Sequence, residues 1–347
     1  MNPYILSTLL FTLGLGTMIT FMSSHWLLAW MGLEINTLAI IPLMAQQHHP
    51  RSVEASTKYF LIQATAAAMI LFASSMNAWL TGQWAISQLS HPFPIVLITM
   101  ALALKMGLAP LHVWLPEVLQ GLDLSTGLIL STWQKLAPFA LLTQMPCQNS
   151  ALLSTLAMTS ALVGGWGGLN QNQLRKIMAY SSIAHLGWMI IILQYNPSLA
   201  LIALLMYIVM TFSAFNLFKI NNSTSINMLA ISWPTSPTLT ALTPLVMLSL
   251  GGLPPLSGFS PKWMILQELT KQELAPLATV MALSALLSLY FYLRLSYAMA
   301  LTISPNNIAG LSPWRFQTSQ LTLPLSIFST CSIMLLPALP AMLALVN

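Results

Sequence analysis

Apolar runs of about the length needed to cross a membrane alternate along the chain with short clusters of Pro, Asn, Gln, Ser and charge. They divide it into about eleven segments: 3–22, 25–45, 57–80, 94–121, 126–144, 150–170, 174–194, 197–220, 238–272, 276–299 and 323–345. Each reads as a helix, so the expected fold is an all-α polytopic membrane protein with about eleven transmembrane helices. The fourth and ninth segments are too long and too rich in proline to be plain helices.

Composition agrees with this pattern. Of 347 residues, 56% are hydrophobic and only 5% are charged, whereas a water-soluble domain has roughly a quarter of its residues charged. Lipid must therefore solvate most of the surface. The net charge of +5 does not point to nucleic acid, because the basic residues are scattered and only Arg175 and Lys176 are adjacent. Cys147 and Cys331 have no CxxC or zinc-like spacing and read as small apolar packing residues. The N-terminal stretch lacks the flanks of a signal or transit peptide and reads as a retained first span.

Threading eleven spans puts the N-terminus on the same side as Arg51, Lys58, Arg175, Lys176, Lys219, Arg294 and Arg315, and leaves Lys271 on the other. That asymmetry fits the positive-inside rule. Lys58, Lys219 and Arg294 lie near span ends, where they are expected to snorkel to headgroups. The sequon NNST at 221–224 falls on the positive side and reads as a polar loop. The runs LGLGT and VGGWGG are expected to let helices pack closely.

An internal repeat follows. GLAPLHVWLPEV at 107–118 aligns without gaps to GLPPLSGFSPKW at 252–263, matching Gly107 with Gly252, Pro110 with Pro255, Trp114 with Phe259 and Pro116 with Pro261. Both copies sit in the overlong segments, the fourth of spans one to five and the fourth of spans six to ten. Units of five crossings enter from opposite faces, so the pattern predicts two five-helix inverted repeats with discontinuous helices 4 and 9, plus a C-terminal helix. The expected division is 1–145, 146–300 and 301–347. Pro110 and Pro116 cannot donate to the carbonyls of Met106 and His112, nor Pro254, Pro255 and Pro261 to those of Leu250, Gly251 and Ser257. Such breaks are tolerated where protein or a wet cavity surrounds them.

Four charges fall deep within spans: Glu34, Lys105, Lys135 and Lys262; His112 and His185 also lie at depth. Each charge costs roughly 2.5–3.5 kcal/mol on insertion scales before it finds a partner. A purely structural role is the alternative for each, most strongly for the two histidines and next for Lys262. An ammonium is costly in a low-dielectric medium and a nearby carboxylate offsets that cost, so relative movement of such groups changes proton affinity. One acid, three lysines and two histidines therefore suggest a proton relay. The chain has no HExxH, GxSxG, P-loop or dinucleotide fingerprint, and no carboxylate cluster for a metal. A haem held by His112 and His185 is the weakest alternative.

The stretches LALKMGLAPLHVWLPEV, AYSSIAHLGWM, GGLPPLSGFSPKW and the N-terminal 43 residues resemble, over essentially the whole chain, the antiporter-like membrane subunits of vertebrate mitochondrial respiratory complex I. These are related to subunits of multisubunit cation/proton antiporters. The resemblance implies a multi-pass protein of the mitochondrial inner membrane with its N-terminus and positive loops on the matrix side. It implies proton translocation coupled to electron transfer from NADH to ubiquinone. Glu34 matches the family's acid, Lys105 its partner lysine, Lys135 the central lysine and Lys262 the charged group of the second broken helix, with His112 and His185 at intervening polar positions. No cofactor is expected on this chain; NAD, FMN, iron–sulfur clusters and ubiquinone would belong to other subunits. Partners implied are other membrane-arm subunits, including neighbouring antiporter-like chains and small accessory subunits, and lipids such as cardiolipin, with no nucleic acid. The resemblance further implies that the chain lacks the first three of the fourteen helices of bacterial relatives, as animal versions do. The competing readings are a purely structural membrane-arm subunit and a freestanding antiporter.

Overall fold

The computed structural model describes residues 2–46, 49–145, 150–230, 232–233, 237–300 and 322–346. Cys147, Arg315, His48 and the expected loop at 301–321 lie outside these. The described residues are helical almost throughout, in two compact units, Met1–Ala157 and Met158–Asn347. The division falls inside a helix, C-terminal to the boundary expected at 145.

The first unit contains α1 (Pro3–Met22), α2 (Trp26–Met44), α3 (Pro50–Thr81), α4 (Pro92–Met106), α5 (Trp114–Gly121), α6 (Leu124–Gln144) and the start of α7 (Ser150–Gly167). The second contains the rest of α7, then α8 (Leu174–Leu193), α9 (Pro197–Ile220), α10 (Ile226–Ala230), α11 (Pro237–Gly251), α12 (Phe259–Lys271), α13 (Ala275–Ala300), α14 (Leu323–Met334) and α15 (Leu339–Val346). Six of these, α1, α2, α3, α8, α9 and α13, are long and apolar enough to cross a membrane unaided. The other spans are short or broken, or, like α6, interrupted by polar side chains.

Helix ends follow local chemistry. Pro occupies the first helical turn of α1, α3, α4 and α9, where its missing N–H is no loss and its fixed φ suits the helix. Asn2 and Asn196 cap α1 and α9 by accepting backbone N–H groups. α3 begins at Pro50 rather than near 57 because the His49 ring accepts from Arg51 N at 3.2 Å and so starts the helix earlier. Its 32 residues reach roughly 48 Å at 1.5 Å per residue, beyond the hydrocarbon core of about 30 Å. The segment 323–345 is not one helix. α14 stops at Met334, a 3₁₀ turn covers Leu336–Ala338, and α15 follows, because Pro337 cannot donate to Ile333 O and so cannot continue the helix, while Pro340 sits in the first turn of α15, where its missing N–H is no loss.

The two units repeat one local device. An isolated antiparallel bridge pairs His25 with Ala85, and another pairs Gln173 with Ser225. In the first unit Trp26 N donates to Trp84 O at 3.1 Å and Ile86 N to Ser24 O at 3.0 Å. In the second, Leu174 N donates to Thr224 O at 3.1 Å and Ile226 N to Asn172 O at 3.2 Å. Each bridge ties the entry of a unit's second helix to the connection after its third, and satisfies backbone groups that lipid could not.

The glycine runs also act alike. A Cβ on Gly16 of α1 would stand 2.9 Å from Gly32 O of α2, and one on Gly32 would stand 2.9 Å from Gly16 O. A Cβ on Gly164 of α7 would lie 2.5 Å from Ala184 N and 2.9 Å from Tyr180 O, both on α8. These helices pack backbone against backbone, as close approach through small residues allows.

Not all polar residues near span ends snorkel. Lys58 pairs with Glu54 at 2.8 Å and with Glu117 of α5 at 3.0 Å. Arg294 donates to Leu169 O at 2.8 Å and to Asn172 Oδ1 at 2.9 Å, fastening the connection after α7. Protein acceptors within reach replace the headgroups expected from sequence.

The crossing of α7 and α8 makes a prediction. Gly164→Ala, with no room to yield against backbone, is expected to destabilise by about 1–3 kcal/mol. Gly14, which has nothing within 4 Å of an added Cβ, is the control. Thermal unfolding in detergent should show a lowered midpoint for Gly164→Ala and an unchanged or slightly raised one for Gly14→Ala.

Candidate functional site

The first site is built by a broken helix. α4 ends at Met106 and Gly107 turns the chain at φ 81°, a conformation that glycine adopts without a Cβ clash. Gly107 N and Leu108 N both donate to Ala103 O at 2.9 Å. The chain then runs without helix to α5. A break frees the last carbonyls of the helix before it, whether or not a proline stands opposite. Two of these have side-chain partners: Trp114 Nε1 donates to Leu104 O at 3.1 Å, and Gln63 Nε2 of α3 reaches Lys105 O at 3.5 Å. The Trp114 ring meets Tyr59 edge-on, with centroids 5.7 Å apart.

Lys105 sits in the last turn of α4, where the partial negative charge of a helix C-terminus favours a cation. It is 6% exposed, and Lys135 in the middle of α6 is 3% exposed. Both line one cavity together with Asn36, Thr37, Tyr59, Gln63 and Gln134. The free volume is about 10 Å³, close to that of one water-sized sphere. The Lys105 amine has no hydrogen-bond partner among the described residues.

Glu34 is half-buried on α2 and does not touch Lys105. Its carboxylate accepts from Thr37 Oγ1 at 3.1 Å, one turn along the same helix. The expected Glu34–Lys105 pair is therefore not an ion pair in this structure. Thr37 lines the lysine cavity, so it connects the acid to it. His112 lies in the break, hydrogen-bonded to the backbone of Pro110, and does not line the cavity of Lys105 and Lys135.

The second unit repeats the break with other partners. α11 ends at Gly251, Gly252 has φ 82°, and Gly252 N and Leu253 N donate to Leu248 O at 3.1 and 3.3 Å. Of the carbonyls expected to be freed by proline, Gly251 O accepts from Lys262 Nζ at 2.8 Å and Ser257 O from Ser260 Oγ at 2.6 Å. Ser257 Oγ in turn donates to Ser332 O of α14. Lys262 is buried and shares a cavity of about 10 Å³ with His185, Trp188, Met189 and Met210. The His185 ring leans on Tyr207, with centroids 5.5 Å apart.

Each unit thus brings two of the expected groups together: Lys105 with Lys135, and Lys262 with His185. Sequence reasoning missed Asn36, Thr37, Tyr59, Gln63 and Gln134. The available signal was polarity at depth: Asn36 and Thr37 follow Glu34 in EINT, Gln134 precedes Lys135, and Gln63 lies inside an apolar run. Among the described residues no group of three or more His, Cys, Asp or Glu side chains is placed to hold a metal ion.

Comparison with known proteins places this geometry. Residues 23–288 match the family model described as NADH:quinone oxidoreductase/Mrp antiporter, TM, and residues 289–343 match NADH dehydrogenase subunit 2 C-terminus. The chain is 70% identical over 347 residues to NADH-ubiquinone oxidoreductase chain 2 of Gadus morhua, with 100% of each covered. It is 69% identical over 347 residues to that of Tetraodon nigroviridis, again with 100% of each covered. Among solved structures, a chain of respiratory complex I from Thermus thermophilus with bound aureothin superposes with a TM-score of 0.83 at 27% identity, covering 96% of this chain and 79% of that one. A chain of a Dietzia Mrp complex shares the fold, with a TM-score of 0.84 at 15% identity, covering 97% of this chain and 76% of that one.

The first break is testable. Trp114→Phe keeps an aromatic ring but removes one of two N–H groups on Leu104 O, which also accepts from Gly107 N at 3.2 Å; a lost hydrogen bond costs about 0.5–1.5 kcal/mol. Trp114→Phe should lower the thermal midpoint, whereas Trp133→Phe, on an exposed face of α6, should not. Equal midpoints for the two variants would refute this account of the break.

Proposed function

Because this chain belongs to the NADH-ubiquinone oxidoreductase chain 2 family, the antiporter-like membrane subunits of respiratory complex I, we propose that protons cross it by way of its buried lysines. Complex I is a proton-translocating NADH:ubiquinone oxidoreductase, and this mitochondrial chain is one of its multi-pass membrane subunits.

The observation that carries the reading is the cavity of the first unit. Lys105 and Lys135 are both buried, line the same small polar space, and are surrounded by side chains able to give and accept hydrogen bonds. A water there can hand a proton between two amines, and buried amines are poised to exchange one because their charged form is costly. Glu34, joined to the cavity by Thr37, is the group whose approach or withdrawal would change that cost. Lys262 and His185 form the matching station of the second unit, and His112 a polar station beside the first break.

Several finer statements belong to this proposal. The units are inverted repeats, a reading supported by their shared bridge, break and glycine crossing. The N-terminus and basic loops face the matrix, supported by the charge asymmetry. NAD, FMN, iron–sulfur clusters and ubiquinone bind other subunits. The apolar faces contact neighbouring antiporter-like chains, accessory subunits and lipids such as cardiolipin.

One observation favours a structural reading for Lys262. Its amine donates to Gly251 O, so it completes the backbone of the broken helix as well as lining a cavity. The two roles separate by experiment in assembled complex I reconstituted in vesicles. Lys135→Met is expected to assemble and to lower the number of protons moved per NADH oxidised; an unchanged ratio would refute the relay. Lys262→Met should lower the ratio if that lysine carries protons, and only the thermal midpoint if it serves the helix alone.

A further inference from the structure

Asn36 is 2% exposed, lies two residues beyond Glu34, and lines the cavity shared by Lys105 and Lys135. Neither Nδ2 nor Oδ1 of its side chain has a hydrogen-bond partner among the described residues, and the same is true of Lys105 Nζ. Two such groups on one small cavity are unusual, because buried amides and amines are almost always hydrogen-bonded. Asn36 and Lys105 do not bond to each other directly, and both line the same free space.

That space fits water. Its volume of about 10 Å³ is near the minimum for one molecule, and the walls offer more than the two to four polar partners that a buried water requires. The Asn36 amide is held in a notch. A Cβ on Gly16 of α1 would run into Asn36 Oδ1 and Cγ, so only glycine there leaves room for the side chain. Gln134 Nε2 reaches the Asn36 backbone carbonyl at 3.4 Å, which ties this turn of α2 to α6 next to Lys135.

We propose that Asn36 is a positioning residue for proton transfer, holding a buried water between Lys105 and Lys135 through its side-chain amide. The amide can donate to the water and accept from it, which fixes the water's place while leaving one lone pair or proton to face a lysine. Thr37, next in sequence, hydrogen-bonds Glu34 and lines the same cavity. The turn Glu34–Asn36–Thr37 therefore connects the acid and the water within one helix.

The proposal rests on the relay reading for its functional part and on the cavity alone for the water. In intact complex I containing this chain, a density map that resolves waters elsewhere in the membrane arm should show one within about 3 Å of the Asn36 amide; a map empty there overturns the proposal. Asn36→Leu keeps the volume but not the hydrogen bonds, and is expected to slow coupled turnover by roughly ten- to a hundredfold, the upper end being the scale of a 1 Å misplacement of a reacting group. It should also change the solvent deuterium isotope effect. Asn36→Ser, which keeps a donor and an acceptor, should recover most of the rate. A Leu variant with wild-type rate and isotope effect overturns the proposal, as does a Ser variant no better than Leu. If Asn36→Leu does not assemble, the wild-type map and the Ser variant decide. An ordered water at Asn36 beside unaltered pumping in Lys135→Met would refute the relay and leave the water site standing.

Discussion

A backbone carbonyl inside a membrane must find its hydrogen bond within the protein. The two helix breaks violate the simplest way of meeting that demand, and the rest of the interior is arranged around them. Gln63, Trp114, Ser260 and Lys262 are polar groups buried among apolar helices, and each donates to a carbonyl that a break has released. The polar surroundings needed to hold an open helix are the same surroundings in which a lysine and its neighbours can exchange protons.

The two units solve the problem differently. In the first, the Trp114 indole N–H serves the released carbonyl, and the Lys105 amine is left to face the cavity. At the equivalent place in the second stands Phe259, which has no N–H to donate, and there Lys262 donates to Gly251 O, which aligns with Met106 O rather than with Leu104 O. Glu117 is aligned with Lys262 in the repeat, and a carboxylate cannot donate to a carbonyl. It turns outward instead and pairs with Lys58. A charge reversal at one repeat position thus accompanies a change in which side chain completes the backbone.

The two units also use the same close crossing for different ends. Gly16 makes room for the Asn36 amide in the first unit, whereas Gly164 sits against the backbone of Ala184 in the second. The polar cavity of Lys105 and Lys135 has Tyr59, Gln63 and Gln134 on its walls, while that of Lys262 and His185 is lined by Trp188, Met189 and Met210. The first is the better suited to hold water between amines.

Apolar run length, proline spacing and the repeated GLxPL motif determined the helical membrane fold, the two breaks and the lysines beside them, because these are local properties that backbone hydrogen bonding enforces wherever lipid is the solvent. The same reasoning reads 323–345 as one unbroken helix, whereas the structure divides it into α14, a 3₁₀ turn and α15 around Pro337. Tertiary structure decided the partners. Nothing local tells Gln63 to reach for Lys105 O, Glu34 to bond to Thr37 rather than to Lys105, or Asn36 to share a cavity with Lys135 of α6. Those outcomes depend on which faces of α2, α3, α4 and α6 meet, and a side chain's hydrogen bond is settled only when packing brings a donor and an acceptor from distant segments within about 3 Å.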